Sequence, residues 1–283
     1  MKSIIEDMAR YAELSNMNVY AITEILGGNV RTAILKEDSY CRDVYSVSKA
    51  FVMAAIGLLF DDRLIKPQDT VADIFGTLPA GSDARWAAVT VSDALRHRTG
   101  LTNGNIDIDR EDILQFAGED WLECTFKLPL DGIRGQTYKY TDTSFYLLSC
   151  MVTKLTGKSL VDYLREKLFV PLGFKEYAWS TCPKGICAGG SGLFVACEDM
   201  AKLGKLWLDY GVFNGKRIIS EQWVKTALEN EYAFSPRNEK YNGFYKTGAH
   251  SQILYFSYEQ NLVIAVQSFA PSEQLTALVD AFL

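Results

Sequence analysis

A serine and a lysine three residues apart are the first residues in this chain that could do chemistry. They lie in the run Ser46-Val47-Ser48-Lys49, which opens a helical pattern predicted over residues 46–60. That spacing puts both side chains one turn apart on the same helix face, where an amine can activate a hydroxyl as a nucleophile. A chain of this length contains roughly one such pair by chance. A capping serine beside a surface lysine is therefore the competing interpretation.

A second candidate is Tyr140-Thr141-Asp142, the only Tyr-x-Asp or Tyr-x-Asn run among fifteen tyrosines. It directly precedes a helix predicted over residues 143–155. Tyrosine is a proton-transfer group when its pKa is lowered, so Tyr140 could serve in catalysis. The structural alternative is that Asp142 caps the helix.

The third candidate is Lys246-Thr247-Gly248, at the end of an aromatic strand predicted over residues 243–247. Glycine at such a position allows a ligand to approach the backbone closely. Arg98-Thr99-Gly100 has similar letters but follows a helical segment, so we interpret it as a helix-ending turn. The two histidines, His97 and His250, are interpreted as structural or surface residues, with His250 near enough to Gly248 to line a cleft mouth.

The surrounding pattern predicts an α+β fold. Residues 1–14 show helical spacing, and residues 18–25 and 30–35 indicate a hairpin that turns at Gly27-Gly28. The middle is predicted to be mostly helical, over residues 46–60, 91–96, 113–117, 143–155, 160–168, 199–208 and 220–228. The end returns to strands over residues 243–247, 252–258 and 262–269 and closes with a helix over 272–282.

We therefore expect an antiparallel sheet built from both termini and flanked by the terminal helices, with a helical domain inserted between. The predicted sheet domain comprises residues 1–40 and 236–283. The predicted helical domain comprises residues 41–235, and the active-site cleft is expected between the two.

Composition excludes several classes of protein. The 283 residues carry 29 basic and 35 acidic side chains, a net charge of −6, which lacks the basic excess of nucleic-acid-binding proteins. No apolar run reaches the eighteen or so residues of a membrane span.

The acidic start, Glu6-Asp7, does not fit a secretory signal, so a cytoplasmic location is expected. Six cysteines and only two histidines indicate reduced thiols rather than a disulfide framework or a zinc site. We expect no metal and no cofactor, and the oligomeric state is left open.

In order and placement, the three motifs resemble those of the serine β-lactamase and penicillin-binding protein superfamily, specifically its class C-like branch of D,D-peptidases and carboxylesterases. Further similarity lies in Leu95-Arg96-His97-Arg98-Thr99-Gly100-Leu101, Ala188-Gly189-Gly190-Ser191-Gly192-Leu193 and Glu198-Asp199-Met200-Ala201. The resemblance covers nearly the whole chain and implies the β-lactamase/transpeptidase-like fold.

The resemblance also implies residue roles. Ser46 would be the acylated nucleophile, Lys49 its proton-abstracting or field-setting partner, Tyr140 the general base and acid, and Lys246 the cation opposite. The backbone N–H groups of Ser46 and Ala249 would hold the oxyanion. A phenolate usable near pH 7 needs roughly 4 kcal/mol of stabilisation, which two neighbouring ammonium groups can supply. Whether Lys49 or Tyr140 is the base stays open at this stage.

The sequence defines the substrate less closely than it defines the catalytic residues. Asp142, Thr247 and Gly248 are the expected substrate-binding residues, but Asp142 replaces the family's usual Asn and turns an amide into an acceptor-only carboxylate. Lys246 and Thr247 favour an acidic acyl donor, whereas the missing export signal argues against substrates met outside the cell. The prediction is a metal-independent serine hydrolase acting on a small ester, amide or β-lactam. The alternative is a penicillin-binding-like ligand sensor that is acylated without turnover.

Overall fold

The computed structural model describes residues 2–37, 39–104, 106–107, 120–237 and 242–283. The helix predicted over residues 113–117 lies outside these ranges. The strands are β1 (Val19–Leu26), β2 (Asn29–Ile34), β3 (Arg42–Asp43), β4 (Tyr177–Trp179), β5 (Leu193–Val195), β6 (Val212–Phe213), β7 (Lys216–Arg217), β8 (Ser235–Arg237), β9 (Gly243–Gly248), β10 (Gln252–Ser257) and β11 (Leu262–Ser268). The α-helices are α1 (Ile5–Leu14), α2 (Ser48–Asp61), α3 (Val71–Phe75), α4 (Val91–Leu95), α5 (Trp121–Lys127), α6 (Asp142–Thr156), α7 (Leu160–Leu164), α8 (Val170–Leu172), α9 (Cys197–Leu208), α10 (Glu221–Glu229) and α11 (Ser272–Phe282).

Both ends of the chain contribute to one antiparallel sheet with strand order β2-β1-β11-β10-β9-β8. β1 and β2 are joined by Gly27 and Gly28, whose φ angles of +56° and +86° fit the two-residue turn that matches strand twist. Because β9 pairs with β8 only at residues 243–245, the end of β9 that carries Lys246 extends past its outer neighbour. The predicted α+β fold with its antiparallel sheet is confirmed.

The sheet lies between two helical layers. On one face α1 and α11 pack against β1, β10 and β11 through Met8, Ile22, Ile264 and Leu278, which are all wholly buried. This confirms that the terminal helices flank the sheet. On the other face, α9 lies so close that a Cβ on Gly204 would be 2.6 Å from Val263 Cγ1. The division into two domains stays a prediction.

The helix α2 lies deep in the helical part of the molecule. Every residue from Ser48 to Leu59 is buried, as expected of a helix that is apolar on all sides. It packs against α6, α7 and α10, with Trp223 from α10 in the space left by Gly57. α2 is therefore a rigid support for residues at its N-terminus.

Several boundaries differ from the predicted ones. The helix predicted from residue 46 begins at Ser48. Before it, Tyr45 has a φ of +46°, outside the right-handed helical region. Tyr45 to Val47 instead form a 3-10 turn. The helix predicted over residues 160–168 becomes α7 followed by a π-helical turn, Arg165–Phe169. The short strands β3 to β8 were not predicted, because two or three residues are too few to show alternation.

Within the described ranges, no helix is both long and apolar enough to cross a bilayer. The six cysteines form no disulfide with one another.

Candidate active site

Ser46 lies in the turn before α2, and its hydroxyl is held by a lysine one turn later. Lys49 Nζ donates a hydrogen bond to Ser46 Oγ over 2.9 Å. The pair thus occupies one face, as the spacing predicted, although Ser46 itself lies outside the α-helix. The backbone of the turn is held in place by Asp43, whose carboxylate accepts from the Tyr45 N–H at 2.7 Å.

The Lys49 ammonium has three protein acceptors, which matches its three N–H donors. Besides Ser46 Oγ, these are Asp142 Oδ1 at 2.5 Å and the Gly190 carbonyl at 2.7 Å. Burial lowers the pKa of Lys49, but the Asp142 carboxylate and the Tyr140 phenol raise it, and the net direction is upward. Lys49 is therefore a cation at neutral pH.

Asp142 is the first residue of α6 and does not cap it. The N-cap is Thr141, whose Oγ1 accepts from the Thr143 N–H at 3.2 Å, so the structural alternative for Asp142 is wrong. The extended backbone of Thr141 turns Asp142 inward. There Asp142 Oδ1 accepts from Lys49, and Asp142 Oδ2 accepts from Ser191 Oγ at 3.0 Å. Both carboxylate oxygens are thus already engaged.

Tyr140 and Lys246 meet across the cleft. Lys246 Nζ, projecting from β9, donates to Tyr140 Oη over 3.1 Å. The ammonium groups of Lys49 and Lys246 lie 4.8 and 4.9 Å from the centroid of the Tyr140 ring. Burial raises the pKa of Tyr140, but the two ammonium groups and hydrogen bonds to Ser46 and Lys246 outweigh it, leaving the Tyr140 pKa below its ordinary value.

The pKa of Lys246 shifts in the opposite direction to that of Lys49. Burial lowers the pKa of the Lys246 amine, and the nearby Lys49 cation lowers it further. Tyr140 and Asp142 offset only part of this, so the Lys246 pKa lies below its usual range. Unlike Lys49, Lys246 has no carboxylate within ion-pair distance among the described residues.

The turn that holds Ser46 and the end of β9 approach each other closely at Gly248. A Cβ on Gly248 would lie 2.5 Å from the Val44 carbonyl oxygen and 3.1 Å from the Ser46 nitrogen. Only glycine allows this approach, so the protein's own backbone requires Gly248. Ser46, Thr247, Gly248 and Ala249 line one cavity of about 400 Å³, together with Asp107, Tyr140, Asp142 and His250.

The two histidines occupy different places. His97 is buried beside Tyr140 with ring centroids 4.5 Å apart, and its Nδ1 accepts from the Thr141 N–H at 3.4 Å. Burial and the two lysine cations hold the His97 pKa well below its ordinary value, so His97 is neutral. His250 lines the cavity as anticipated and stacks on Phe269 with centroids 4.0 Å apart.

Three contributors to the site were not among the predicted site residues. Ser191 and Gly190 lie in the Gly-rich segment after residue 188, where a Cβ on Gly190 would be 2.5 Å from Asp142 Cγ. The signal in the sequence that could have identified Gly190 and Ser191 is a serine among closely spaced glycines. Asp107 accepts from the Asp142 N–H at 2.7 Å, and no pattern in the sequence distinguishes it from other surface acids. Among the residues described, no group of three or more His, Cys, Asp or Glu side chains could hold a metal ion.

Comparison with known proteins agrees with this geometry. The model of the Beta-lactamase family matches residues 41–277 of this chain. The chain belongs to the Beta-lactamase family. The resemblance seen in the sequence motifs is thereby confirmed.

The individual relatives of this chain share little sequence identity with it or match only part of it. An N-acetylmuramyl-L-alanine amidase from Bacillus subtilis (strain 168) is 32% identical over 113 residues, which are 39% of this chain and 25% of the relative. A 6-aminohexanoate-dimer hydrolase from Paenarthrobacter ureafaciens is 22% identical over 244 residues, 81% of this chain and 61% of the relative. The chain thus spans between a quarter and three fifths of the length of these two relatives.

Among solved structures, a putative 6-aminohexanoate-dimer hydrolase from Bacillus anthracis superposes with a TM-score of 0.81. The match covers 95% of this chain and 79% of that one at 18% identity. At this identity the likeness shows the fold alone.

Proposed function

We propose that this chain is a metal-independent serine hydrolase that cleaves a small amide, ester or β-lactam through an acyl-enzyme on Ser46. The observation that carries the proposal is the continuous contact of Lys49, Ser46, Tyr140 and Lys246. In it, Ser46 Oγ accepts from Lys49 and keeps its own proton available for Tyr140. A buried serine between a cation and an acidified phenol is a nucleophile beside its base.

Acylation then follows from the proton positions. The Tyr140 phenolate takes the Ser46 proton while Ser46 Oγ forms a bond to the substrate carbonyl carbon. The Ser46 and Ala249 N–H groups hold the oxyanion, and each such donor is worth about 3 to 4 kcal/mol in comparable sites. Tyr140 gives its proton to the leaving nitrogen or oxygen as the carbonyl–leaving group bond breaks. Water repeats the sequence, with Tyr140 as base, to release the acid and restore Ser46.

The proposal assigns the base to Tyr140 rather than Lys49. A base must be unprotonated before the reaction, and the Asp142 carboxylate keeps Lys49 protonated. Lys49 acts through its field, which stabilises the phenolate, and through its hydrogen bond, which orients Ser46. Asp142 in turn positions Lys49. Direct contact of Asp142, Thr247 or Gly248 with substrate stays a prediction.

Other observations support this class of reaction. The cavity, of about 400 Å³, is of the size that suits a small-molecule substrate. Two relatives are named as an amidase and a dimer hydrolase, which favours amide substrates over esters or β-lactams. The cytoplasmic location expected from the sequence stays a prediction.

The test is active-site labelling with a fluorophosphonate, followed by peptide mapping. We expect the label on Ser46, its loss in Ser46→Ala, and its retention in Ser48→Ala. Ser48 is the matched control because its Oγ is buried two residues away and donates to the Gly189 carbonyl. A label that maps elsewhere, or full hydrolysis by Ser46→Ala, would refute the proposal.

The substrate class is then identified by measuring turnover of a β-lactam, an ester and an amide: nitrocefin, p-nitrophenyl acetate and D-alanyl-p-nitroanilide. EDTA should leave each rate unchanged, and activity that is lost with EDTA and restored by Zn²⁺ would contradict the metal-independent reaction. The sensor alternative predicts a stable adduct on Ser46 by mass spectrometry with no turnover of any substrate.

A further inference from the structure

The cavity that holds Ser46 also contains two carboxylates, and only one of them is neutralised. Asp142 is paired with Lys49 at 2.5 Å. Asp107 has no ammonium or guanidinium group within ion-pair distance in the part of the chain that the structure describes. Its hydrogen-bond partners among the described residues are both neutral and both donate to Oδ1: Thr141 Oγ1 at 3.0 Å and the Asp142 N–H at 2.7 Å.

The second oxygen of Asp107 is left uncovered by a glycine. A Cβ on Gly104 would lie 3.2 Å from Asp107 Oδ2 and 2.0 Å from Thr141 Oγ1. A side chain at Gly104 would therefore displace Thr141 and cover the free oxygen. Asp107 is half-buried, and its position is fixed by the two hydrogen bonds to Oδ1. The result is a fixed negative charge at the cavity wall with one oxygen available.

We propose that Asp107 determines specificity by binding an ammonium group on the acyl part of the substrate. The inference rests on the proposed serine hydrolase function and names its substrate class: amides or esters whose acyl chain carries a protonated amine. A cation beside Asp107 forms a charge-assisted hydrogen bond in a site partly shielded from water, where charge pairs are stronger than in bulk solvent.

We place the acyl part of the substrate in this cavity because Ser46, to which it becomes attached, lines the cavity. The acyl chain is attached to Ser46, which shares the cavity with Asp107. Tyr140 also lines a second cavity, of about 240 Å³, whose wall includes the cations Arg96, Arg98 and Lys246 and the exposed carboxylates Glu229 and Glu231. A leaving group that takes its proton from Tyr140 has that second space open to it.

The competing explanation is that Asp107 only holds Thr141 and Asp142 in place. Asp107→Asn distinguishes the two, because an amide oxygen still accepts from Thr141 Oγ1 and the Asp142 N–H while the charge is removed. A positioning role alone predicts that all substrates are affected equally. A specificity role predicts that only amine-bearing substrates are affected.

The experiment compares matched p-nitroanilides with and without the amine: D-alanyl against propionyl, 4-aminobutanoyl against butanoyl, and 6-aminohexanoyl against hexanoyl. We expect the wild type to prefer at least one amine-bearing member over its partner by about tenfold or more in kcat/KM, and Asp107→Asn to remove that preference mainly through KM. Rates on the neutral partners should stay within about threefold of wild type. The wild-type preference should also weaken as salt is added.

The control is Glu229→Gln, which removes an exposed carboxylate from the second cavity and should leave the preference unchanged. The inference is overturned if the wild type shows no preference in any pair, or if Asp107→Asn lowers both members of a pair equally. Its failure is separable from failure of the hydrolase proposal, because fluorophosphonate labelling of Ser46 tests the latter alone.

Discussion

Lys49 Nζ lies 2.5 Å from Asp142 Oδ1, and the side chain of Lys49 is wholly removed from solvent. Burial lowers the pKa of an ammonium group at such a depth, because it disfavours the charged form. The Asp142 carboxylate, which α6 presents to α2, and the Tyr140 phenol outweigh this effect and raise the Lys49 pKa. In the proposed mechanism this pairing leaves Tyr140, rather than Lys49, as the base.

Asp142→Asn should therefore cost stability, because it leaves the Lys49 cation buried without a partner. We expect a loss of roughly 3–5 kcal/mol at pH 7 by urea unfolding, the usual cost of breaking a buried pair. In the variant the Lys49 pKa falls below that of the unfolded chain, so the cost shrinks as rising pH removes the proton. The difference in the free energy of unfolding between variant and wild type should be smaller at pH 9.5 than at pH 7.

The double variant Lys49→Met/Asp142→Asn supplies the control, since it buries no charge. It should be less destabilised than the sum of the single variants. If the stability difference between Asp142→Asn and wild type does not change with pH, and the losses in the single variants add up to that of the double variant, the pair contributes little through its charge.

Tyr140→Phe should lower the acylation rate by about 10²-fold or more, the scale for loss of a positioned proton-transfer group. Because the Tyr140 pKa is depressed, wild-type kcat/KM should rise with pH as the phenolate forms, reaching its plateau below the ordinary phenol range. Stopped-flow acylation across pH measures this. An unchanged rising limb in Tyr140→Phe would assign that titration to another group.

Lys246→Ala should move the rising limb of the pH profile to higher pH. The phenolate loses one of its two neighbouring ammonium groups and its 3.1 Å hydrogen bond, so the Tyr140 pKa increases. Lys246→Arg retains the positive charge and should keep the limb near its wild-type position. If both variants shift it equally, the hydrogen-bond geometry rather than the charge sets the Tyr140 pKa.

Gly190→Ala should reduce activity more than it reduces stability. The added Cβ falls 2.5 Å from Asp142 Cγ and would push the carboxylate away from Lys49. We expect about a tenfold or larger loss of kcat/KM, measured beside the melting temperature. Ser191→Ala removes only the 3.0 Å hydrogen bond to Asp142 Oδ2 and should be milder. The reverse order would show that Ser191, not the space at Gly190, holds Asp142.

Much of the fold and part of the site follow from the sequence, because their causes are local. Alternating and 3.6-residue patterns predicted five of the six strands of the large sheet, all but β8, and the long helices to within a few residues. Ser46 and Lys49 are neighbours because one helical turn separates them. Two further motifs identified Tyr140, Lys246 and Gly248 as candidates, and the structure brings them into one cleft.

What the sequence alone left undecided depends on contacts between distant segments. From the sequence, Asp142 could be a helix cap or part of the site, because only the packing of α6 against α2 shows that Lys49 contacts it. The protonation of Lys49 was open for the same reason, because a pKa is set by neighbours that lie 93 residues away. Asp107 had no local signature at all. Its position in the wall beside Ser46, and its lack of a cation among the described residues, come from tertiary structure, because charge compensation depends on distance in space.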